Sequence, residues 1–165
     1  MMNIKRLTLS SMLIALGVIL GNFIYIPIGV SKCFPIQHTI NILSAILLGP
    51  IYSTGIAFTI SLLRNILGTG SLLAFPGSMI GALLAGLMYK MFQNKYLAII
   101  GEVLGTGILG AIVAGYVAKY VMGKQVIGLF FVYPFMISTA GGAIIAFLLL
   151  KVIKITYGEK ISSYK

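Results

Sequence analysis

The sequence predicts an all-α, polytopic membrane protein of six transmembrane helices, and three observations carry that expectation. Hydrophobic residues make up 59% of the 165 positions and charged residues only 8%, where a soluble domain has about a quarter charged. The mean hydropathy is +1.09. The apolar residues fall into six blocks divided by Pro, Gly or short polar runs, the punctuation expected where helices cross a bilayer and irregular backbone is confined to their ends. Their unbroken succession is read as one six-helix domain over residues 1–155, with a polar tail over 156–165.

Leu7–Ile26 is the first span, carrying the small-residue pairs Ser11/Ala15 and Gly17/Gly21 that allow close approach of another helix. Lys5-Arg6 ahead of it resembles a signal peptide, but the run is long enough to span and no small-x-small cleavage site follows. Residues 27–32 are read as a loop. Ile36–Leu48 is the second helix, short against the roughly twenty residues of a full span. Gly49-Pro50 turns the chain into a third helix, Ile51–Ile66. A fourth is expected to begin near Pro76, which suits a first helical turn, and to run to Phe92. Leu97–Ala118 is the fifth, and Val126–Leu150 the sixth, interrupted at Pro134 and Gly141-Gly142.

The net charge of +10 does not mark a nucleic-acid binder, because the basic residues stand singly at the ends of apolar blocks. With both termini cytoplasmic, eight basic residues (Lys5, Arg6, Lys90, Lys95, Lys151, Lys154, Lys160 and Lys165) fall inside and four (Lys32, Arg64, Lys119 and Lys124) outside. That asymmetry follows the positive-inside rule. Trp is absent, so Tyr116, Tyr120 and Tyr133 are assigned to the outer interface as a belt or a pocket lid. Cys33 is the only cysteine, which excludes an intrachain disulfide and a thiolate zinc site; no metal or cofactor is expected. Gly105 to Gly110 spells GxGxxG, but it sits within a span with no preceding strand and is read as close helix packing. Ser78 lies in no nucleophile signature and no phosphate-binding loop is present, so the chain is not read as an enzyme.

The segment Arg64–Gly81 stands out. It sets Arg64 and Asn65, a Gly68-Thr69-Gly70 turn and Phe75-Pro76-Gly77-Ser78 within an apolar chain. Non-helical backbone at this depth survives only where protein or a water-lined cavity satisfies it, so the segment is read as one wall of a small-molecule pocket, with Gly68, Thr69 and Gly70 in a lid loop. Arg64 is a pocket group or clamp on one reading and a snorkelling cation on the other. Gln37, His38 and Asn41 open the second helix, and their amides and imidazole suit a neutral heteroaromatic ligand with a hydroxyl; the plainer reading is hydrogen bonding between helices. Phe75 is placed to stack on the ligand ring. Glu102 lies inside the fifth helix, nearer the cytoplasmic side, where a short carboxylate snorkels poorly; it is read either as a structural group or as a proton-coupling site.

PIQHTIN over 35–41, LLGP over 47–50, RNILGTGSLLAFPGSMIGALLAG over 64–86 and GEVLGTG over 101–107 resemble the ThiW family along essentially the whole chain. The resemblance implies an S-component-like bundle in the bacterial cytoplasmic membrane. It implies a substrate-binding subunit of an energy-coupling factor (ECF) importer that captures hydroxyethylthiazole, the thiazole precursor of thiamine. The partners it implies are a membrane T component and two cytoplasmic ATPase subunits. Related S components meet the T component through a small-residue motif on helix one, which Ser11 to Ala15 matches with Ser in place of the first Ala. The alternative from another class is a stand-alone proton-coupled secondary transporter of a small heteroaromatic solute, working through Glu102.

Overall fold

The computed structural model describes residues 4–28, 31–125 and 129–157. Among these residues six helices form an all-α bundle: α1 (Ile4–Phe23), α2 (Pro35–Leu48), α3 (Pro50–Ile66), α4 (Ala74–Phe92), α5 (Lys95–Tyr120) and α6 (Val132–Tyr157). Four of them, α1, α4, α5 and α6, are long and apolar enough to cross a membrane. Large apolar side chains such as Met12, Ile19, Phe23, Ile51, Ile144 and Leu148 point outward, as they do where the solvent is lipid. The chain is a polytopic membrane protein.

The short helix is the central one. Only Ile46 and Leu47 of α2 escape full burial, and α2 packs against all five other helices. A helix enclosed by protein need not match the bilayer thickness, which accounts for its 14 residues. Its core is Ile36, Ile40 and Leu48 against Leu13 of α1 and Ile56 and Ile60 of α3. Gly17 of α1 admits the Ile60 side chain, and Gly21 lies beside the Arg64 guanidinium.

Several boundaries differ from the sequence reading. The first helix stops at Phe23, not Ile26, because β-favouring Ile24-Tyr25-Ile26 and then Pro27 leave helical geometry. The expected loop is a hairpin of β1 (Ile26–Ile28) and β2 (Ser31–Cys33), antiparallel with Pro27 opposite Lys32. Cys33 anchors it: its thiol, pushed up from the ordinary range by burial, stays protonated and donates to the Pro134 carbonyl at 3.1 Å. The fourth helix starts two residues before Pro76, which still falls in the first turn.

The sixth helix is continuous from Val132 to Tyr157 and not interrupted; residues 126–128 of its expected start lie outside the described residues. Pro134 sits in the first turn, where a missing N–H costs nothing. Gly142 lets α2 approach, and Thr39 donates across the gap to its carbonyl at 3.0 Å. Residues 151–157, expected in or beside a polar tail, extend this helix. The GxGxxG stretch is wider than a regular helix: Gly105–Gly110 is a π-helical segment inside α5. Gly105 and Gly110 lie on Gly81 and Gly77 of α4, backbone against backbone.

Candidate functional site

The α3–α4 connection turns on Gly68, at φ +70°, and its polar backbone is satisfied locally. The Arg64 carbonyl accepts from the N–H groups of Thr69 and Gly70, both at 2.9 Å. Asn65 donates through Nδ2 to the carbonyls of Ser61 at 2.8 Å and Ser71 at 3.0 Å, pinning the loop to α3. A cavity of about 670 Å³ opens between this loop, the hairpin and the first turns of α2, α4 and α6. Leu73, Phe34, Phe130, Phe131 and Phe135 supply apolar walls, and Gln37, His38, Arg64, Ser78 and Ser138 the polar groups. Apolar walls with a few convergent polar groups are the make-up of a small-ligand site.

Two hydrogen-bonded clusters reach this cavity from adjacent residues of α2. The first runs through Gln37. Ser61 Oγ accepts from Gln37 Nε2 at 2.9 Å, which leaves Gln37 Oε1 to accept from Arg64 Nη1 at 2.7 Å. Arg64 Nη2 donates to the Thr69 carbonyl at 3.2 Å, and the guanidinium carbon lies 3.9 Å from the centre of the Phe34 ring. Arg64 is therefore a buried clamp, 1% exposed, and not a snorkelling side chain. Such a cation survives burial because its plane stacks on an aromatic face while its edges find acceptors.

The second cluster runs through His38. Its Nδ1 lies 2.9 Å from Oε1 of Glu102, and the same oxygen accepts from Asn41 Nδ2 at 3.0 Å and Thr106 Oγ1 at 2.9 Å. Asn41 also donates to the Ser78 carbonyl and hydroxyl, each at 3.1 Å, which ties α2 to α4. Glu102 is wholly buried, its second oxygen close to where a Cβ on Gly81 would stand. The π-helical segment begins one turn after Glu102 and brings Thr106 onto both the carboxylate and the Gly77 carbonyl. π-bulges recur where a helix must turn a side chain into a site.

Of the residues singled out from the sequence, Gln37, His38, Arg64, Ser78, Gly68, Thr69 and Gly70 line the cavity. Asn41 and Glu102 lie behind it, joined to it by His38 and Ser78. Asn65 holds the loop. Phe75 does not line the cavity; its ring packs on Phe58 of α3, with centres 5.6 Å apart. Ser11 and Ala15 are exposed on the outer face of α1. Tyr116, Tyr120 and Tyr133 are exposed and apart from the cavity lining, the first two stacked with centres 6.3 Å apart.

Sequence reasoning missed Phe34, Tyr25, Lys32, Lys124 and Thr106. Thr106 follows Glu102 by four residues, so helical spacing could have paired them. The hairpin residues carry a β-favouring signal, Ile24-Tyr25-Ile26, but it is masked by the apolar run of α1 before it. Among the described residues, no group of three or more His, Cys, Asp and Glu side chains is placed to hold a metal ion.

Neither the curated proteins nor the solved structures yield a match to this chain. One family model does match, described as thiamine-precursor transporter protein (ThiW), over residues 7–156. That range takes in α2 to α5, nearly all of α1 and α6, and every residue lining the cavity, so the chain belongs to the ThiW family of thiamine-precursor transporters.

Proposed function

We propose that the protein is the substrate-capturing membrane subunit of an ECF-type importer. It takes hydroxyethylthiazole from outside a bacterial cell and relies on a membrane T component and two cytoplasmic ATPases for release inside. The single observation behind this reading is the cavity under the α3–α4 loop, with aromatic walls and hydrogen-bonding groups from α2, α3 and α4. Its volume of about 670 Å³ exceeds that of one small heteroaromatic ring and falls within the range usual for ligand sites.

In this reading Phe34 and the phenylalanines of the α6 end enclose the ring, while His38, Ser78 and Arg64 bond its polar substituents. Gln37 orients Arg64, and Glu102 and Asn41 orient His38 and Ser78. The loop over residues 67–73 is the gate, hinged on Gly68, and Asn65 its latch. Both termini lie in the cytoplasm, which the excess of basic residues at that end supports. The outward face of Ser11 and Ala15 supports docking of the T component, because small side chains let a second helix approach.

The buried Glu102 also motivates the second reading, a stand-alone transporter coupled to protons. Binding of hydroxyethylthiazole to protein in nanodiscs, followed by uptake into vesicles with and without the T component and ATPases, tests both. Binding without the partners, with uptake only in their presence, is the expected result. Uptake driven by a proton gradient in vesicles holding this chain alone would replace the first reading by the second.

A further inference from the structure

The cavity's charges are all of one sign. Lys32, Arg64 and Lys124 contribute to its lining, and no Asp or Glu does. In a chain with so few acids this needs a control, and Lys119 provides one, being exposed at the end of α5 without lining the cavity. Three of the four basic residues at this end of the bundle thus converge on a single hollow.

Two of these cations are held in place. Lys32 Nζ lies 4.9 Å from the centre of the Tyr25 ring, Tyr25 and Phe34 have centres 6.4 Å apart, and Arg64 stacks on Phe34. Cation, ring, ring and cation form one ladder along the hairpin side of the cavity. The like charges are spaced by aromatic faces, which lessens their repulsion without neutralising either. Arg64 carries five N–H donors, yet it donates only to Gln37 and Thr69, and its buried Nε has no partner.

The Arg64 carbonyl at the end of α3, which would repel an anion, is already taken up by the N–H groups of Thr69 and Gly70. Among the described residues the one acid, Glu102, does not line the cavity and spends one oxygen on His38, Asn41 and Thr106.

We propose that the preferred ligand of this cavity is an anion: a small heteroaromatic molecule bearing a phosphate monoester or a carboxylate, with Lys32, Arg64 and Lys124 as its counter-charges. This rests on the reading of the cavity as a thiazole-precursor site and narrows what that site selects. A neutral alcohol meets the hydrogen-bonding groups but leaves the three positive charges unanswered.

The experiment measures equilibrium binding of hydroxyethylthiazole, its phosphate monoester and the matching thiazole acetic acid to the full chain in nanodiscs of neutral lipid. At least one of the two anions is expected to bind more tightly than the alcohol by roughly ten- to hundredfold, the range for charge-assisted hydrogen bonds, and the gap is expected to shrink as salt is raised. The double variant Lys32→Gln with Lys124→Gln, both exposed and so expected to fold, should lose most of that gap, whereas Lys119→Gln keeps it. Which anion gains more separates phosphate from carboxylate recognition. Alcohol binding equal to or tighter than both anions overturns the inference and leaves the capture role standing. A gap that the double variant leaves unchanged overturns the assignment of these cations. Binding of none of the three overturns both the inference and the capture role.

Discussion

His38 Nδ1 and Glu102 Oε1 stand 2.9 Å apart, joining residues 64 positions distant in the chain and two helices that meet behind the cavity. The carboxylate oxygen also receives Asn41 and Thr106, so one atom holds α2 and α5 in register. Removing it takes an acceptor from three buried groups: Asn41 keeps its bonds to Ser78 and Thr106 its bond to the Gly77 carbonyl, while His38 Nδ1 loses its partner. Glu102→Ala is expected to lower the stability of the purified protein by roughly 2–4 kcal/mol, the scale of one unpartnered buried donor plus two lost bonds. Glu102→Gln keeps an acceptor in the same place and should lose less than half as much. Thermal unfolding in detergent checks the order. Equal losses in the two variants would mean that the charge, and not the acceptor, holds the cluster.

Arg64 invites a conservative test, because lysine preserves its charge and none of its geometry. The guanidinium stacks on Phe34 while bonding Gln37 and Thr69, and an ammonium cannot do these together. Arg64→Lys is therefore expected to weaken ligand binding by about 1–3 kcal/mol, close to the effect of Arg64→Ala. Calorimetry with whichever ligand binds best is the measurement. Affinity preserved in the lysine variant would reduce Arg64 to a simple point charge.

Two Phe-Pro dipeptides begin helices in this chain, Phe34-Pro35 and Phe75-Pro76, and only the first lines the cavity. Phe34→Ala is expected to weaken ligand binding by roughly 1–3 kcal/mol through loss of both the wall and the Arg64 platform. Phe75→Ala should leave affinity within about twofold, because its ring serves Phe58 outside the cavity and costs only roughly 0.5–1.5 kcal/mol of pair stability beyond burial. Binding isotherms for the two variants decide between them. The opposite ranking would restore Phe75 as the stacking residue.

That pair also shows where the sequence could be read and where it could not. Six apolar blocks with Pro and Gly between them declare a helical membrane protein, because lipid leaves the backbone no other arrangement at such length. The Arg64-Asn65 to Ser78 segment announces itself by setting polar and irregular residues in that background. Which way a single ring faces depends instead on the roll of its helix, and neighbouring turns of the chain do not encode that roll. The same blindness hid the Glu102–His38 pair, whose members lie on different helices with three intervening turns. The widening of α5 at Gly105–Gly110 was hidden too, since glycines fit close packing and a π-bulge equally well. The hairpin arises where β-branched and aromatic residues end α1, a signal masked by their apolar character.

Gly81 tests the tight contact of α4 with α5. A methyl group there would run into Thr106 Oγ1 and lie 2.6 Å from Glu102 Oε2, so it cannot be added without displacing the buried carboxylate cluster. Gly81→Ala is expected to destabilise by about 1–3 kcal/mol, the usual result of overpacking, and to weaken ligand binding through His38. Gly55, on the outer face of α3 with nothing within 4 Å, is the matched control. Gly55→Ala should be neutral or stabilising by roughly 0.5–1 kcal/mol, since alanine gives up less backbone freedom in a helix. Melting curves of the two variants should move in opposite directions or only the first should move. Equal shifts would show that the α4–α5 contact yields readily.

Ser11 and Ala15 separate capture from transport. Both are exposed on α1, on the side away from the Gly17 and Gly21 face that receives α3, and neither lines the cavity. Bulky side chains there are compatible with the isolated fold and would keep a second helix at a distance. Ser11→Leu with Ala15→Leu is expected to leave ligand affinity within about twofold, since no lining residue changes, while it abolishes uptake in vesicles that contain the T component and ATPases. Co-purification of the T component gives an independent readout and should fall in parallel. Retained uptake by the double variant would exclude this face as the docking surface and direct the search to the other lipid-facing helices.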